Sequence, residues 1–179
     1  INGERFKDRK VMSAALYLYT KNVERSKDSK NLIIEVFALI GDWGEGNQDR
    51  KIASEHEVSW NQRGVDGQRW VIPGIGKHDV EYNSTVLGGN GLGLGDVPDD
   101  WVAIGFNKEG LRKLERYLNG KEKFYGFLLK AKNGAKGKTL TYFFSSEAQE
   151  AEYRPFFQMG YVPAPKTEAS SVAIPVPRH

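Results

Sequence analysis

"VMSAALYLYT", residues 11–20, decides how the rest of the chain is read. Ala15, Tyr17 and Tyr19 project to one side, and Leu16, Leu18 and Thr20 to the other. A period of two is the mark of a strand, and apolar groups on both sides predict a strand with both faces largely covered. Downstream, a polar Lys-rich connection (21–31) leads into "NLIIEVFALI" (31–40), whose β-branched and aromatic residues predict a second strand. "GDWGEGNQDR" (41–50) is turn chemistry.

Between 58 and 104 the apolar pieces are short ("VSW", "RWVI", "STVL", "DWVAIGF") and separated by Gly-, Pro- and Asp-rich connections. Such punctuation suits an antiparallel β-sandwich better than alternating strands and helices. One segment breaks the pattern. In "NKEGLRKLERYLNG" (107–120), Leu111, Leu114, Tyr117 and Leu118 fall on one helical face, with Asn107 as N-cap and Gly120 as stop. A short amphipathic helix over about 108–119 is therefore expected. "FYGFLLKAK" (124–132) and "KTLTYFFSSE" (138–147) read as strands joined by "NGAKG" (133–137), an Asn-Gly hairpin signal. "RPFFQMGYV" (154–162) reads as the last strand, closing a β-sandwich domain over 1–162. The Pro-rich remainder, 163–179, reads as an extended arm whose "VAIPVP" suits a sheet edge.

With 179 residues the chain fits one compact domain with a real core. Its 26 basic and 23 acidic side chains give a net charge of +3 and are interleaved, so no basic stripe of the kind nucleic acid requires is present. Cysteine is absent, which excludes disulfides, thiol nucleophiles and Cys-based metal sites. No apolar run approaches the ~20 residues that span a bilayer, and "INGERFKDRK" is not a signal peptide.

Several motifs invite chemistry and are better read plainly. "GGNGLGLGD" (88–96) lacks the Lys-Ser/Thr pair and the following helix of a phosphate loop, and is expected to be a flexible loop; "GAKGKT" (134–139) spaces its glycines wrongly. His56, His78 and His179 have no metal-like spacing, and His78-Asp79 has no Gly-x-Ser-x-Gly elbow to serve. Scattered carboxylates do not define a glycosidase pair. Asn83-Ser84-Thr85 is a glycosylation sequon. No cofactor is expected, although the cluster "GDVPDD" (95–100) offers Asp96, Asp99 and Asp100 as hard oxygen ligands for a structural calcium.

Trp43, Trp60, Trp70 and Trp101 remain. Free aromatic faces stack on the C–H-rich faces of sugars, while buried indoles fill cores and bond their N–H to a partner. Each lies beside an apolar or Gly-bounded segment, so burial is expected for most, leaving one or two at most for a ligand.

The succession "VMSAALYLYT", "VFALIGDWGEG", "VSWNQRGVDGQRW", "GFNKEGLRKLERYLNGKEKFYGFLLKA" and "FFSSEAQEAEYRPFFQMGY" resembles the DNRLRE-type domain, or disaggregatase-related repeat, over about residues 11 to 162. That family is similar to a carbohydrate-binding module appended to bacterial alginate lyases. The resemblance implies a jelly-roll-like antiparallel β-sandwich in a secreted or cell-surface protein of bacteria or archaea. It also implies a non-catalytic role attaching enzymes or cells to polysaccharide. Trp43, Trp60, Asn61, Arg63 and Trp70 fall at its recurrent positions with mainly structural roles, Arg63 or Asp66 securing polar groups near the indoles. The family's first strands have no counterpart before "VMSAALYLYT". They are expected elsewhere in the chain, in the "VAIPVP" segment, or from another subunit by strand addition.

The expected function is non-catalytic, extracellular polysaccharide binding or cell-surface adhesion, with acidic chains favoured by the basic excess. Lys21, Arg25, Lys27 and Lys30, in a loop after the first strand, are the candidate ionic contacts, and Trp43 or Tyr82 the stacking face. The alternative is a structural subunit of an extracellular filament or surface layer assembled by donated strands, or a homo-oligomer of that kind. A small lyase or glycosidase ranks third.

Overall fold

A computed structural model describes residues 9–25, 32–46, 57–90, 99–132 and 139–163. Its strands are β1 (Arg9–Arg25), β2 (Ile34–Ala38), β3 (Gly88–Gly89), β4 (Trp101–Phe106), β5 (Phe127–Ala131), β6 (Thr139–Phe143) and β7 (Phe156–Pro163). A single α-helix among the described residues, α1, covers Lys108–Leu118. The fold is all-β, antiparallel and sandwich-like with one short helix, as the sequence led us to expect. Its ladders form one open seven-stranded sheet in the order β5-β2-β3-β4-β1-β6, with β7 also on β1.

β1 organises this sheet. Residues 15–19 pair with β4, residues 9–17 pair with β7, and residues 20–25 pair with β6. Since β4 and β7 both face residues 15–17, they occupy opposite edges of β1, and β6 and β7 follow one another along the edge away from β4. The alternation read from the sequence holds: Leu18 and Thr20 are buried on one face, while Tyr17 and Tyr19 are half-buried on the other. A bulge between Val11 and Ser13 interrupts the ladder, and the Val11 amide donates to Glu115 Oε1 of the helix at 2.8 Å.

The helix caps as expected. Asn107 accepts from the Gly110 amide at 2.9 Å. At the other end Gly120, at φ 65°, donates to the Tyr117 carbonyl while Lys121 donates to that of Arg116, a Schellman closure that needs the left-handed backbone. Leu114 and Leu118 pack on Val11 and Ala14. Phe106 and Phe127 join this cluster to the main core of Leu18, Ile34, Val36, Ala38, Leu87 and Ile104.

Four sequence expectations are corrected. β5 and β6 do not pair across "NGAKG": β5 lies on β2 and β6 on β1, at opposite ends of the path. An Asn-Gly pair biases only the local backbone, whereas the partner was selected by Phe127 and Leu129 packing on the β2 core residues; residues 133–137 themselves lie outside the described residues. β1 continues through Lys21 to Arg25, so these two are strand residues and not loop residues. Gly88–Gly89, expected in a flexible loop, is the strand that bridges β2 and β4. Of the four pieces between 58 and 104, only "DWVAIGF" contains a named strand, while Val58, Gln62, Arg63 and Arg69 make isolated bridges. The arm lies outside the described residues, except Pro163, which ends β7.

Candidate functional site

The two faces of the sheet differ. One carries α1 and the main core. On the other, at the β2–β5 end, Phe37, Leu39 and Tyr82 form a small buried cluster with Trp43, Tyr125 and Leu128 against it. At the β4–β1–β7 end the same face carries aromatic rings instead. Pairing sets Tyr17 opposite both Ala103 and Phe156, and Tyr19 opposite Trp101. Tyr17 and Phe156 stack at 4.6 Å between centroids, and Trp101 meets Phe156 edge-on at 4.9 Å. Tyr19 touches Trp101, Phe144 and Tyr153 at 5.2, 5.8 and 4.4 Å. Phe156 is 45% exposed, and Trp101, Tyr17 and Tyr19 are half-buried, so the rings hold one another in place while edges and faces remain in solvent.

Polar groups frame the rings. The Tyr19 hydroxyl donates to the Asp99 carbonyl at 2.9 Å, and Thr20 Oγ1 donates to that of Asp100 at 2.9 Å. Loss of hydration pushes the Tyr19 hydroxyl pKa up, and Tyr153 and the carboxylates of Asp99 and Asp100 add to this. The Lys21 ammonium lies 5.4 Å from the Phe144 ring centre.

Of the residues proposed from sequence, Lys21 therefore stands beside an aromatic cluster, while Lys27, Lys30 and the side chain of Arg25 lie outside the described residues. Tyr82 does not offer a stacking face: it is 6% exposed, meets Phe37 edge-on at 5.2 Å and accepts from Lys130 Nζ at 3.1 Å. Trp43 is half-buried, its indole N–H donating to the Tyr125 carbonyl at 2.6 Å. Asp96 is outside the described residues. Asp100 accepts from its neighbour's amide, Trp101, at 2.7 Å, and among the described residues no group of three His, Cys, Asp or Glu side chains converges as a cation site. Nor does any described helix have the length and apolarity to cross a membrane.

"VSWNQRGVDGQRW" plugs its own core with one indole and exposes the other. Trp70 is 6% exposed and donates to the Ser59 carbonyl at 3.0 Å, and the Arg63 guanidinium lies over its ring at 5.6 Å while bonding the Asp42 carbonyl at 2.7 Å. Trp60 departs from the burial expected for most of the tryptophans: it is 72% exposed, its ring laid against Gly74 where any Cβ would collide with it. His78 Nδ1 and the Ser84 backbone amide both bond to the Asp79 carboxylate, at 3.1 and 3.0 Å.

A sequence reading of Tyr17 and Tyr19 as one-sided was available; that Trp101, Phe156, Phe144 and Tyr153 share their side was not, because only the register brings them there. No family model matches the chain, and no curated protein and no solved structure is significantly similar to it. Fold and surface together define an all-β, sandwich-like domain with one helix on one sheet face and a cluster of aromatic rings on the other.

Proposed function

We propose that this chain is a non-catalytic polysaccharide-binding module of a secreted or cell-surface protein, in keeping with its resemblance to the DNRLRE-type domain, and that sugar rings stack on the Tyr17–Phe156–Trp101 surface. One observation carries the reading: aromatic rings on a sheet face, mutually braced and partly open to solvent, where a globular core would have covered them. Among the described residues the basic excess that favours an acidic chain does not converge here. Asp99, Asp100 and Glu35 stand against Lys21, Lys130 and Lys132 on or around this face, and Lys132 is paired with Glu35 at 3.1 Å. With charges balanced in this way the face gives uronates no electrostatic advantage, and the carboxylates beside the rings suit sugar hydroxyls, so we take a neutral polysaccharide as the occupant.

Affinity electrophoresis through gels containing glucomannan, xyloglucan, β-glucan, alginate or polygalacturonate tests this. At least one neutral gel is expected to retard the protein, with retardation lost in Tyr17→Ala and kept in Trp60→Ala. Retardation by acidic gels alone, insensitivity to Tyr17→Ala, or shortening of the polymer would overturn the reading.

A second reading, a subunit assembled by donated strands, is favoured by the open sheet. Among the described residues β5 pairs only with β2 and β7 only with β1, leaving one edge of each without a ladder. Electron microscopy of the purified protein that reveals ordered polymers would favour this reading.

A further inference from the structure

Two asparagines of this fold use both ends of the carboxamide. Asn90 accepts from the Ile34 amide and donates to the Leu32 carbonyl, and Asn107 accepts from the Gly110 amide and donates to the Val86 carbonyl. Asn83 differs. Its Oδ1 accepts from the Thr85 amide at 2.8 Å, and among the described residues its Nδ2 donates to no group. It is also the one asparagine of the chain followed two places on by Ser or Thr, in "NST" at 83–85. The turn is held from outside: the Asn83 amide donates to the Ala38 carbonyl at 2.8 Å, and the Ser84 amide to Asp79 Oδ1 at 3.0 Å. Ser84 and Thr85 are exposed, and the Thr85 hydroxyl bonds to no described group.

Asn83 further lies in the shared wall of two adjoining hollows of about 300 and 290 Å³, the lower end of the size range of ligand pockets. Lys113 of α1 and Glu122 line both, Arg112 and Leu87 one, and Lys123 and Tyr125 the other. Ion pairing does not exhaust these cations, since an ammonium or guanidinium keeps further N–H donors for hydroxyls. No residue of the Tyr17–Phe156–Trp101 surface lines either hollow.

We infer that Asn83 is a site of N-glycosylation and that the first sugars of its glycan lie in the groove these hollows form beside α1. A carboxamide held by its oxygen, with a free Nδ2 and an unengaged hydroxyl two residues on, is the acceptor that an oligosaccharide transferase requires. Nδ2 bonds to the anomeric carbon of a polyprenyl-diphosphate-linked oligosaccharide, the anomeric C–O bond to phosphate breaks, polyprenyl diphosphate leaves, and the Nδ2 proton passes to a base of the transferase. The inference rests on the secreted or cell-surface placement in the proposed function and is independent of polysaccharide binding.

Mass spectrometric mapping of the protein isolated from the medium or envelope of the cells that make it tests this. Trypsin releases Asn83 in the peptide 78–108. We expect that peptide to carry a glycan, lost in Asn83→Gln and Thr85→Val and kept in Thr85→Ser. Acetic anhydride should modify Lys113 and Lys123 at least about twofold more slowly in the glycosylated protein than in Asn83→Gln, and Lys10 at the same rate in both. A bare 78–108 peptide from the exported protein would overturn the inference, and the native map alone decides if a variant fails to fold. Equal acetylation of Lys113 and Lys123 would overturn the groove. A protein found only inside cells would remove the placement together with the inference, whereas gel retardation of the native protein that is lost in Tyr17→Ala and kept in Asn83→Gln upholds polysaccharide binding separately.

Discussion

Tyr17 of β1 and Phe156 of β7 lie directly opposite in the ladder, their rings 4.6 Å apart and 7° from parallel. This contact joins the long central strand to the last one on a face that α1 does not cover. A double-mutant cycle with Tyr17→Leu and Phe156→Leu, read by urea denaturation, should give a coupling of about 0.5–1.5 kcal/mol beyond the loss of buried area. Additive effects of the two substitutions would mean that the rings are neighbours without mutual support.

The opposite face depends on Leu114, which is 1% exposed and seals α1 onto Val11 and Ala14. Leu114→Ala should lower stability by about 2–5 kcal/mol, and Leu111→Ala, half-buried on the same helix, by clearly less. Asn107 both caps the helix and donates from Nδ2 to the Val86 carbonyl at 2.8 Å. Asn107→Asp keeps the cap and loses the second bond, so it should be milder than Asn107→Ala, which costs about 1–2 kcal/mol. Equal denaturation midpoints for the two Asn107 variants would assign the whole effect to the Val86 bond.

Glu81, 6% exposed, anchors the Trp70 segment by accepting from the amides of Val71 and of Lys77, the latter at 2.7 Å. Glu81→Ala leaves two partly buried donors without this acceptor and should cost about 1–3 kcal/mol. Amide exchange should quicken first at Val71 and Lys77, and tryptophan emission should shift to the red as Trp70 gains water. Unchanged exchange at these two amides would show that water replaces the carboxylate without penalty.

The parts of this architecture that local chemistry determines could be read in the sequence. Tyr17 and Tyr19 alternate with Leu16, Leu18 and Thr20, and Asn107 and Gly120 bound the helix, because pleat and caps act over a few residues. Partner choice could not be read so. "NGAKG" biases a turn, yet β5 chose β2 because Phe127 and Leu129 fit its core face, a contact across some ninety residues of chain. Gly88 and Gly89 have no side chains to show a period, so a strand there left no trace. Trp60 and Trp70 look alike in sequence. Their fates differ because the Trp70 indole finds the Ser59 carbonyl while Trp60 rests on a glycine at the surface. The aromatic platform was half visible: the tyrosines of β1 pointed to it, and the residues that complete it arrive from three other segments by register.

Glu122 bridges Lys113 and Arg116 just beyond the helix, and this contributes to the response of the protein to pH at both ends of the scale. The Lys113 hydrogen bond, joined by Arg116 and opposed by partial burial, holds the Glu122 carboxyl below the ordinary value of 4.5. A carboxyl with a lowered folded pKa contributes stability that is full above its unfolded value and is lost as pH falls through the folded one. Glu122→Gln should therefore flatten the acid limb of the stability curve below about pH 5, with its cost seen at neutral pH. The same carboxylate acts on Tyr117, whose hydroxyl burial, with Glu122 as the second cause, pushes up to about 12 from 10.0. Here the neutral form is favoured by folding, so stability is full below pH 10 and falls as pH rises toward 12. In Glu122→Gln the Tyr117 titration, followed by ultraviolet absorbance, should move down and stay above 10.0, since burial remains. A Tyr117 titration that does not move would separate the two groups, and an acid limb as steep as that of the native protein would leave Lys113 and Arg116 with no part in stability.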